Sequence, residues 1–460
     1  MGVDWTPDLS GRAGPRYRAI ADALAGAVAD GTLPPGDRLP PQRDLAWRLG
    51  VTVGTVTRAY NAARRRGLIS GTVGRGSFVQ APRRAADGPF AIPEGEPAVV
   101  DLSLNRPGDP GWAPLNTTLA ALSETETADL MAYQPEAGRP VDRAAGATWL
   151  GWHGLAAEAD SVLVVNGAQH GLAVALGGLT RPGDTVLCDA LTFPGLMGLC
   201  GLLGLTPRPV PADEEGMDPE ALDSLCRNQG AAALYVMPTL HNPTTAVWSP
   251  ERRAAVAAVA RRHDLAVVED DLGGLLPSRR PAPLAAHAPE NTCFVSSVSK
   301  LLGAGLRTGY VHAPARYRAA VARALRTTVW MASPLAAAIA TRWITDGTAA
   351  HLVAARRAEA AARQALAAEI LGPWRPRAHP EGYHLWLALP EPWRSGAFAD
   401  AAHAEGVAVT RPENFVPGQR AAPQAVRVCP MAPDRRADAE TGLRRLAAVL
   451  DQEPHWPAVV

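Results

Sequence analysis

Lysine is almost missing from this sequence. One lysine, Lys300, stands against 44 arginines among 460 residues. A bias toward arginine accounts for the 44 and leaves the exception to be explained. Arginine stays protonated at any usable pH, whereas a lysine can lose its proton and attack a carbonyl carbon. Cysteine is scarce too: Cys188, Cys200, Cys226, Cys293 and Cys429 are odd in number and form no C-x-x-C pair. That spacing argues against a disulfide framework and a zinc site, and predicts a reducing, cytoplasmic setting. Long apolar runs are absent. The longest near-apolar stretch, Phe193 to Leu205, is thirteen residues with one proline and four glycines, too short and too glycine-rich to span a bilayer. The opening MGVDWTPDLS has neither the basic nor the apolar region of a secretory signal.

Net charge is also lacking, with 45 basic and 45 acidic side chains, but the balance hides an asymmetry. Residues 1–80 hold eleven arginines and six aspartates, a surplus of five positive charges that the remaining chain cancels. A basic head on an acidic body points to a polyanionic partner. Within that head, Ile20, Leu24, Ala27 and Val28 form a helical stripe in Tyr17 to Asp30, ended by Gly31 and the Pro34–Pro35 pair. A short helix from about Pro41 to Leu49 follows and breaks at Gly50. A third starts after Thr52, a suitable N-cap, and runs to about Arg66. The segment LISGTVGRGSFV then alternates and turns like a two-stranded wing. This order predicts a winged helix-turn-helix over residues 13–80.

The stretch LPPQRDLAWRLGVTVGTVTRAYNAARRRGLISGTVGRGSFV resembles the GntR-type winged helix along its whole length. The resemblance implies DNA binding. Thr52, Thr55 and Arg58 would enter the major groove from the start of the third helix, with Arg43 and Arg75 on phosphates or groove flanks. One departure is Val53, where that family carries an arginine that contacts a base.

Residues 81–97 are rich in Pro, Gly, Ala and charge without periodicity, and read as a linker. Beyond them, short and often β-branched runs alternate with helical stretches: Ser161–Val165, Val186–Asp189, Ala233–Val236, Leu265–Glu269, Cys293–Ser297 and Tyr310–His312. The alternation predicts an open, mostly parallel α/β sheet in a domain spanning 98–455. From about 335 to 455 a long helical region precedes strand-like Tyr383–Leu389, Val407–Thr410 and Ala425–Val428, suggesting a smaller α/β lobe.

In such a sheet, ligand groups collect where strands end. The first strand gives way to Asn166-Gly167-Ala168-Gln169, whose amides can cradle a phosphate. Asn242, fixed by Pro243, can donate to a phenolic oxygen. A carboxylate of Glu269-Asp270-Asp271 can pair with a ring cation. Ser297-Val298-Ser299-Lys300 and, seven residues on, Arg307 bring hydroxyls, the single lysine and a guanidinium together. An imine-forming lysine, a pyridinium partner and a phosphate cup are what pyridoxal 5'-phosphate (PLP) requires.

The order and spacing resemble the fold-type I aminotransferases of class I/II. Behind a GntR-type head, the whole chain resembles a MocR-type transcriptional regulator: a winged helix-turn-helix fused to an α/β PLP-dependent transferase fold. The resemblance implies that Lys300 forms the internal aldimine, that Asp270 pairs with the pyridine nitrogen, and that Asn242 contacts the phenolic oxygen. It implies that Phe193 stacks on the ring, a position equally readable as ordinary core. Ala168, Gln169, Ser297, Ser299 and Arg307 would bind phosphate, although the two serines also suit a turn cap. Tyr133 would reach the phosphate of a partner subunit, and Arg427 would take a substrate's α-carboxylate.

Two further departures bear on chemistry. Leu272 stands where the family has a tyrosine that hydrogen-bonds the phenolic oxygen, and Thr245 replaces the glycine of its N-P-T-G turn. Both should damp turnover more than cofactor capture. The expected function is therefore a homodimeric regulator that reads an operator of two half-sites and senses an amino acid or amine by aldimine formation at Lys300. The alternative is a PLP-dependent aminotransferase with a residual DNA-binding head. The histidines lack metal-ligand spacing, so no metal is expected.

Overall fold

The computed structural model describes residues 5–7, 9, 15–29, 32–33, 37–65, 68–72, 76–79, 99–108, 113–121, 124–418 and 420–452. The chain divides into two compact units, Met1–Glu94 and Gly95–Val460. The expected linker over 81–97 lies outside the described residues.

In the first unit, helices Arg16–Ala29, Gln42–Leu49 and Val53–Arg65 precede an antiparallel pair, Ile69–Thr72 and Gly76–Val79. Ile20, Leu24, Leu45, Val56, Tyr60, Ile69 and Val79 close a single core. Gly50 ends the second helix in the left-handed conformation (φ 59°), where a residue without a Cβ is least strained. The wing has a third member that periodicity did not reveal. The Leu39 amide donates to the Ser77 carbonyl and the Val79 amide to the Asp37 carbonyl, each at 2.8 Å. Pro40 and Pro41 bias the residues before them toward extended backbone, which suits this pairing.

The second unit is built on a seven-stranded sheet. Its strands lie in the order Val162–Val165, Gly309–His312, Thr292–Ser297, Ala266–Asp270, Ala233–Val236, Thr185–Asp189, Thr206–Val210. All are parallel except Gly309–His312, which is antiparallel to both neighbours. The strands ALYV, AVVED and TCFVSS inside the sheet and VLVV at one edge are buried at every position, as expected for a sheet covered by helices on both faces. Thr206–Val210 went unanticipated because Pro207 and Pro209 break the strand pattern; at the sheet's edge their missing amides are tolerated.

Helices Pro334–Thr345 and Thr348–Leu371 lead into a smaller antiparallel sheet of Arg377–Ala378, Leu385–Ala388 and Ala425–Val428. Val100–Asp101 pairs in parallel with Val407–Ala408, so the start of this unit is stitched to its small lobe. Leu102 packs into the core of that lobe with Leu385, Val426 and Leu446. Among the described residues no helix is long and apolar enough to cross a membrane.

Candidate functional site

All six parallel strands point their carboxyl ends the same way, so the residues that follow them converge. Thr292–Ser297 ends in a 3-10 turn, Val298–Lys300. The Ser297 hydroxyl accepts the Ser299 amide at 3.1 Å and lies 2.9 Å from both the Thr308 carbonyl and the Ser299 hydroxyl. Ser297 thus clamps the turn that presents Lys300. The Lys300 carbonyl accepts the Tyr383 hydroxyl at 2.9 Å, and its Nζ donates to the Asn105 carbonyl. Burial, with the Arg427 guanidinium nearby, pulls the Lys300 amine down to about 8. A share of it is therefore neutral and nucleophilic near neutral pH.

Asp270 closes the neighbouring strand and is fully buried. Its Oδ2 accepts the Tyr235 hydroxyl at 2.7 Å, and its Oδ1 has no hydrogen-bond partner among the described residues. Burial pushes the carboxyl up to about 7. Asp271, on the opposite pleat, is occupied elsewhere: His153 Nδ1 lies 3.0 Å and Arg280 Nη1 3.2 Å from its Oδ2, and His153 Nε2 lies 3.0 Å from the Ser296 hydroxyl. Ser296, His153 and Asp271 are all buried, and this string braces the core beneath the sheet's end.

Arg427, from the small lobe, is buried and has no acidic partner among the described residues. Its Nη1 donates to Asn242 Oδ1 at 2.8 Å, its Nη2 to the Thr410 hydroxyl at 3.1 Å and to the Ser103 carbonyl at 2.5 Å. Its Nε has no partner among the described residues, and the guanidinium lies 5.0 Å from the Phe415 ring centroid. Because Arg427 takes the Asn242 oxygen, the amide nitrogen of Asn242 is the atom left to donate. Thr245, in the turn after Asn242, sits at φ 65°, so a β-branched residue occupies a conformation that glycine adopts without strain.

Phe193, Asn242, Leu272 and Lys300 line a cavity of about 100 Å³ with Asn105, Tyr383 and His384. His384 Nε2 donates to the His241 carbonyl at 3.2 Å, which leaves Nδ1 to accept the Asn105 amide at 3.4 Å. Burial and Arg427 lower the His384 ring to about 3, so it is neutral. A larger cleft of about 410 Å³ lies between Asp189, His241, Arg377 and Trp386, but Lys300 and Asp270 do not line it.

Of the phosphate candidates, the exposed Arg307 meets the first residue of helix Gly167–Leu179, whereas Ser297 and Ser299 are shown only in the turn before Lys300. Gly167 sits at φ 77°, and a Cβ there would lie 2.7 Å from Arg307 Nη2. Asn166 puts no side-chain cap over the helix, so the Ala168 and Gln169 amides keep the open donors of a helix N-terminus. Tyr133 stands apart: it is 84 % exposed, its ring edge-on to Trp330 at 6.2 Å, and it does not line the cavity within this chain.

The residues present fit PLP. A buried Asp270 oxygen lacks a donor among the described residues, a glycine without a Cβ lets the Arg307 guanidinium approach a helix N-terminus, and the only lysine feels the charges of both Asp270 and Arg307. Sequence reasoning missed Tyr235 and His384. A hydroxyl inside the wholly buried strand ALYV was the available signal for the first.

On the other unit, Arg43, Thr52 and Arg58 are exposed and Thr55 half-buried. The Thr52 hydroxyl accepts the Thr55 amide at 3.3 Å and lies 2.9 Å from the Thr55 hydroxyl, capping the third helix. Arg75 lies outside the described residues.

Residues 16–79 match the gntR family of bacterial regulatory proteins, and residues 97–446 match Aminotransferase class I and II. The HTH-type transcriptional regulator YdeF of Bacillus subtilis is 31 % identical over 452 residues, 98 % of this chain and 97 % of its own. The vitamin B6 salvage pathway transcriptional repressor PtsJ of Salmonella typhimurium is 30 % identical over 383 residues, 82 % of this chain and 86 % of its own. Among solved structures, the α-aminoadipate aminotransferase LysN of Thermus thermophilus, complexed with N-(5'-phosphopyridoxyl)-L-leucine, superposes with a TM-score of 0.69 at 22 % identity. It covers 77 % of this chain and 92 % of its own, a likeness of fold.

Proposed function

Because the chain belongs to the MocR-type transcriptional regulators, in which a gntR-family helix-turn-helix domain precedes a class I and II aminotransferase domain, we propose that it senses an amino acid or amine at Lys300 with PLP as cofactor. The observation that carries this reading is Lys300 itself. The chain's one side-chain amine is drawn down to about 8 in a cavity it shares with Asn242, close enough to feel the charge of Asp270, whose Oδ1 has no partner among the described residues. Bound there, the cofactor would supply an aldehyde carbon with which an amine can condense, water leaving.

The chain's own residues do the rest. Asp270 Oδ1 holds the pyridine nitrogen, the Asn242 amide donates to the phenolic oxygen, and Phe193 covers the ring. Arg307, Ser299 and the Ala168 and Gln169 amides hold the phosphate, while Ser297 keeps the turn in shape. Tyr133, exposed and remote from the cavity of its own chain, serves the phosphate of a partner subunit in a homodimer. Arg427 receives the α-carboxylate of the effector; its planar fork suits a bidentate pair. Leu272 offers no hydroxyl to the phenolic oxygen, and Thr245 puts a β-branched residue in a left-handed position of the Asn242 turn, so capture outweighs turnover. Arg43, Thr52, Thr55, Arg58 and Arg75 read an operator of two half-sites, which entails a cytoplasmic location.

A second reading, an aminotransferase with a residual head, draws on Val53. It is 42 % exposed at the start of the third helix and gives no base a hydrogen bond. One experiment separates the two. Binding of a DNA fragment from the gene's own neighbourhood is measured with PLP and each of a panel of amino acids, and conversion of bound PLP to pyridoxamine phosphate is followed by absorbance. The regulator reading expects DNA affinity to change with one amine in the wild type and not in Lys300→Ala, with little conversion. No DNA binding at low salt under any condition, with rapid conversion, would establish the enzyme instead.

A further inference from the structure

Tyr235 is a hydroxyl in a place where phenylalanine would pack as well. It lies on the central strand Ala233–Val236, fully buried among Val268, Cys188 and Ala233. A buried hydroxyl costs free energy unless it is paired. Its partner is set by register. Tyr235 is opposite Val268 on the neighbouring strand, and the period of two puts Asp270 on the same face as Val268. From there the hydroxyl reaches Asp270 Oδ2 at 2.7 Å, while Oδ1 has no partner among the described residues.

We propose that Tyr235 is a positioning residue for the cofactor's pyridine nitrogen: it holds one oxygen of Asp270, which turns the other toward the ring and keeps the carboxylate ionised. This role rests on the PLP reading above. The tyrosine ring cannot swing away, since its strand is hydrogen-bonded on both sides and its face is packed. Rotation of the Asp270 carboxylate is the remaining freedom, and the hydroxyl removes it. The direction of the bond is settled by charge. Burial and the adjacent Asp270 raise the Tyr235 hydroxyl far above its usual range, so the proton stays on tyrosine and the carboxylate accepts. Burial and Asp271 favour protonation of Asp270, against which Tyr235 and Lys300 both work. A protonated Asp270 would give up its ionic hold on a pyridinium.

The test uses the full chain and PLP carrying 15N at the pyridine nitrogen. Wild type, Tyr235→Phe, Asp270→Asn and the double variant are compared for PLP affinity and for the 15N shift, which separates protonated from neutral pyridine. Tyr235→Phe is expected to weaken PLP binding roughly tenfold, the order of one hydrogen bond to a charged group, and to move the shift toward neutral pyridine. In the Asp270→Asn background the same change should add nothing. Wild-type affinity and shift in Tyr235→Phe, or additive losses in the double variant, would overturn the role. Loss of the thermal transition in Tyr235→Phe would assign the tyrosine to the core instead. A wild type that fails to bind PLP would overturn the cofactor reading, and this role with it.

Discussion

Lys300 gains its character from where it sits. Taking an ammonium out of water and placing it beside Arg427 makes the charged form costly, and the amine falls to about 8. The neutral amine is the form that attacks an aldehyde. PLP capture by the cofactor-free chain should therefore accelerate as pH rises through about 8 and level off above it. Stopped-flow absorbance across pH 6.5–9.5 checks this; a rate that keeps climbing toward the value of an ordinary lysine, about 10.4, would contradict it. Other residues at this scale were legible only in part. A lone lysine behind two serines stands out in any reading of the chain. Asn105 and His384, separated by 279 residues, carry no such mark, because their meaning comes from facing one another across the cavity.

Elements turn residues into sites by aiming them. The Gly167–Leu179 helix starts directly after the strand Val162–Val165, and its glycine accommodates both a positive φ and the Arg307 guanidinium. An alanine at 167 pays the left-handed penalty of about 1–2 kcal/mol and drives a methyl group into that guanidinium. Gly167→Ala should therefore weaken PLP binding by about tenfold or more in an equilibrium titration. Gly26→Ala, in the middle of the first helix with open space around it, is the control. It should leave PLP affinity alone and raise stability by up to about 1 kcal/mol. Strands with continuous apolar runs, such as Ala233–Val236, were legible to the residue. Thr206–Val210 was not, because its prolines fit a strand only at an edge, and being at an edge is a property of the whole sheet.

Across the whole molecule, zero net charge is the sum of a basic head and an acidic body. Binding to DNA releases counterions, whereas the residues proposed for the PLP ring, Asp270 and Asn242, are buried and little screened by salt. DNA affinity should thus fall by about a thousandfold or more between roughly 50 and 200 mM salt, with PLP affinity changing little. Arg43, exposed and proposed for a phosphate, sets the variant: Arg43→Ala should flatten the slope of log affinity against log salt by about 1. A fluorescence titration at four salt concentrations reads both. A slope that is unchanged in Arg43→Ala would assign that arginine away from phosphate.

What could be read along the chain was local: helix stripes, apolar strands, the glycine that opens a helix, and the one lysine among the arginines. Those features depend on neighbours within a few residues, and the polypeptide states them directly. Pairings over long distances were another matter. Arg427 meets Asn242 across 185 residues, and Tyr235 meets Asp270 across a strand boundary, because packing brings those side chains within hydrogen-bond reach. Desolvation belongs to the same class. Burial brings the Lys300 amine down and pushes the Asp270 carboxyl up until each lies within reach of neutral pH, and no run of letters contains the water that folding removes.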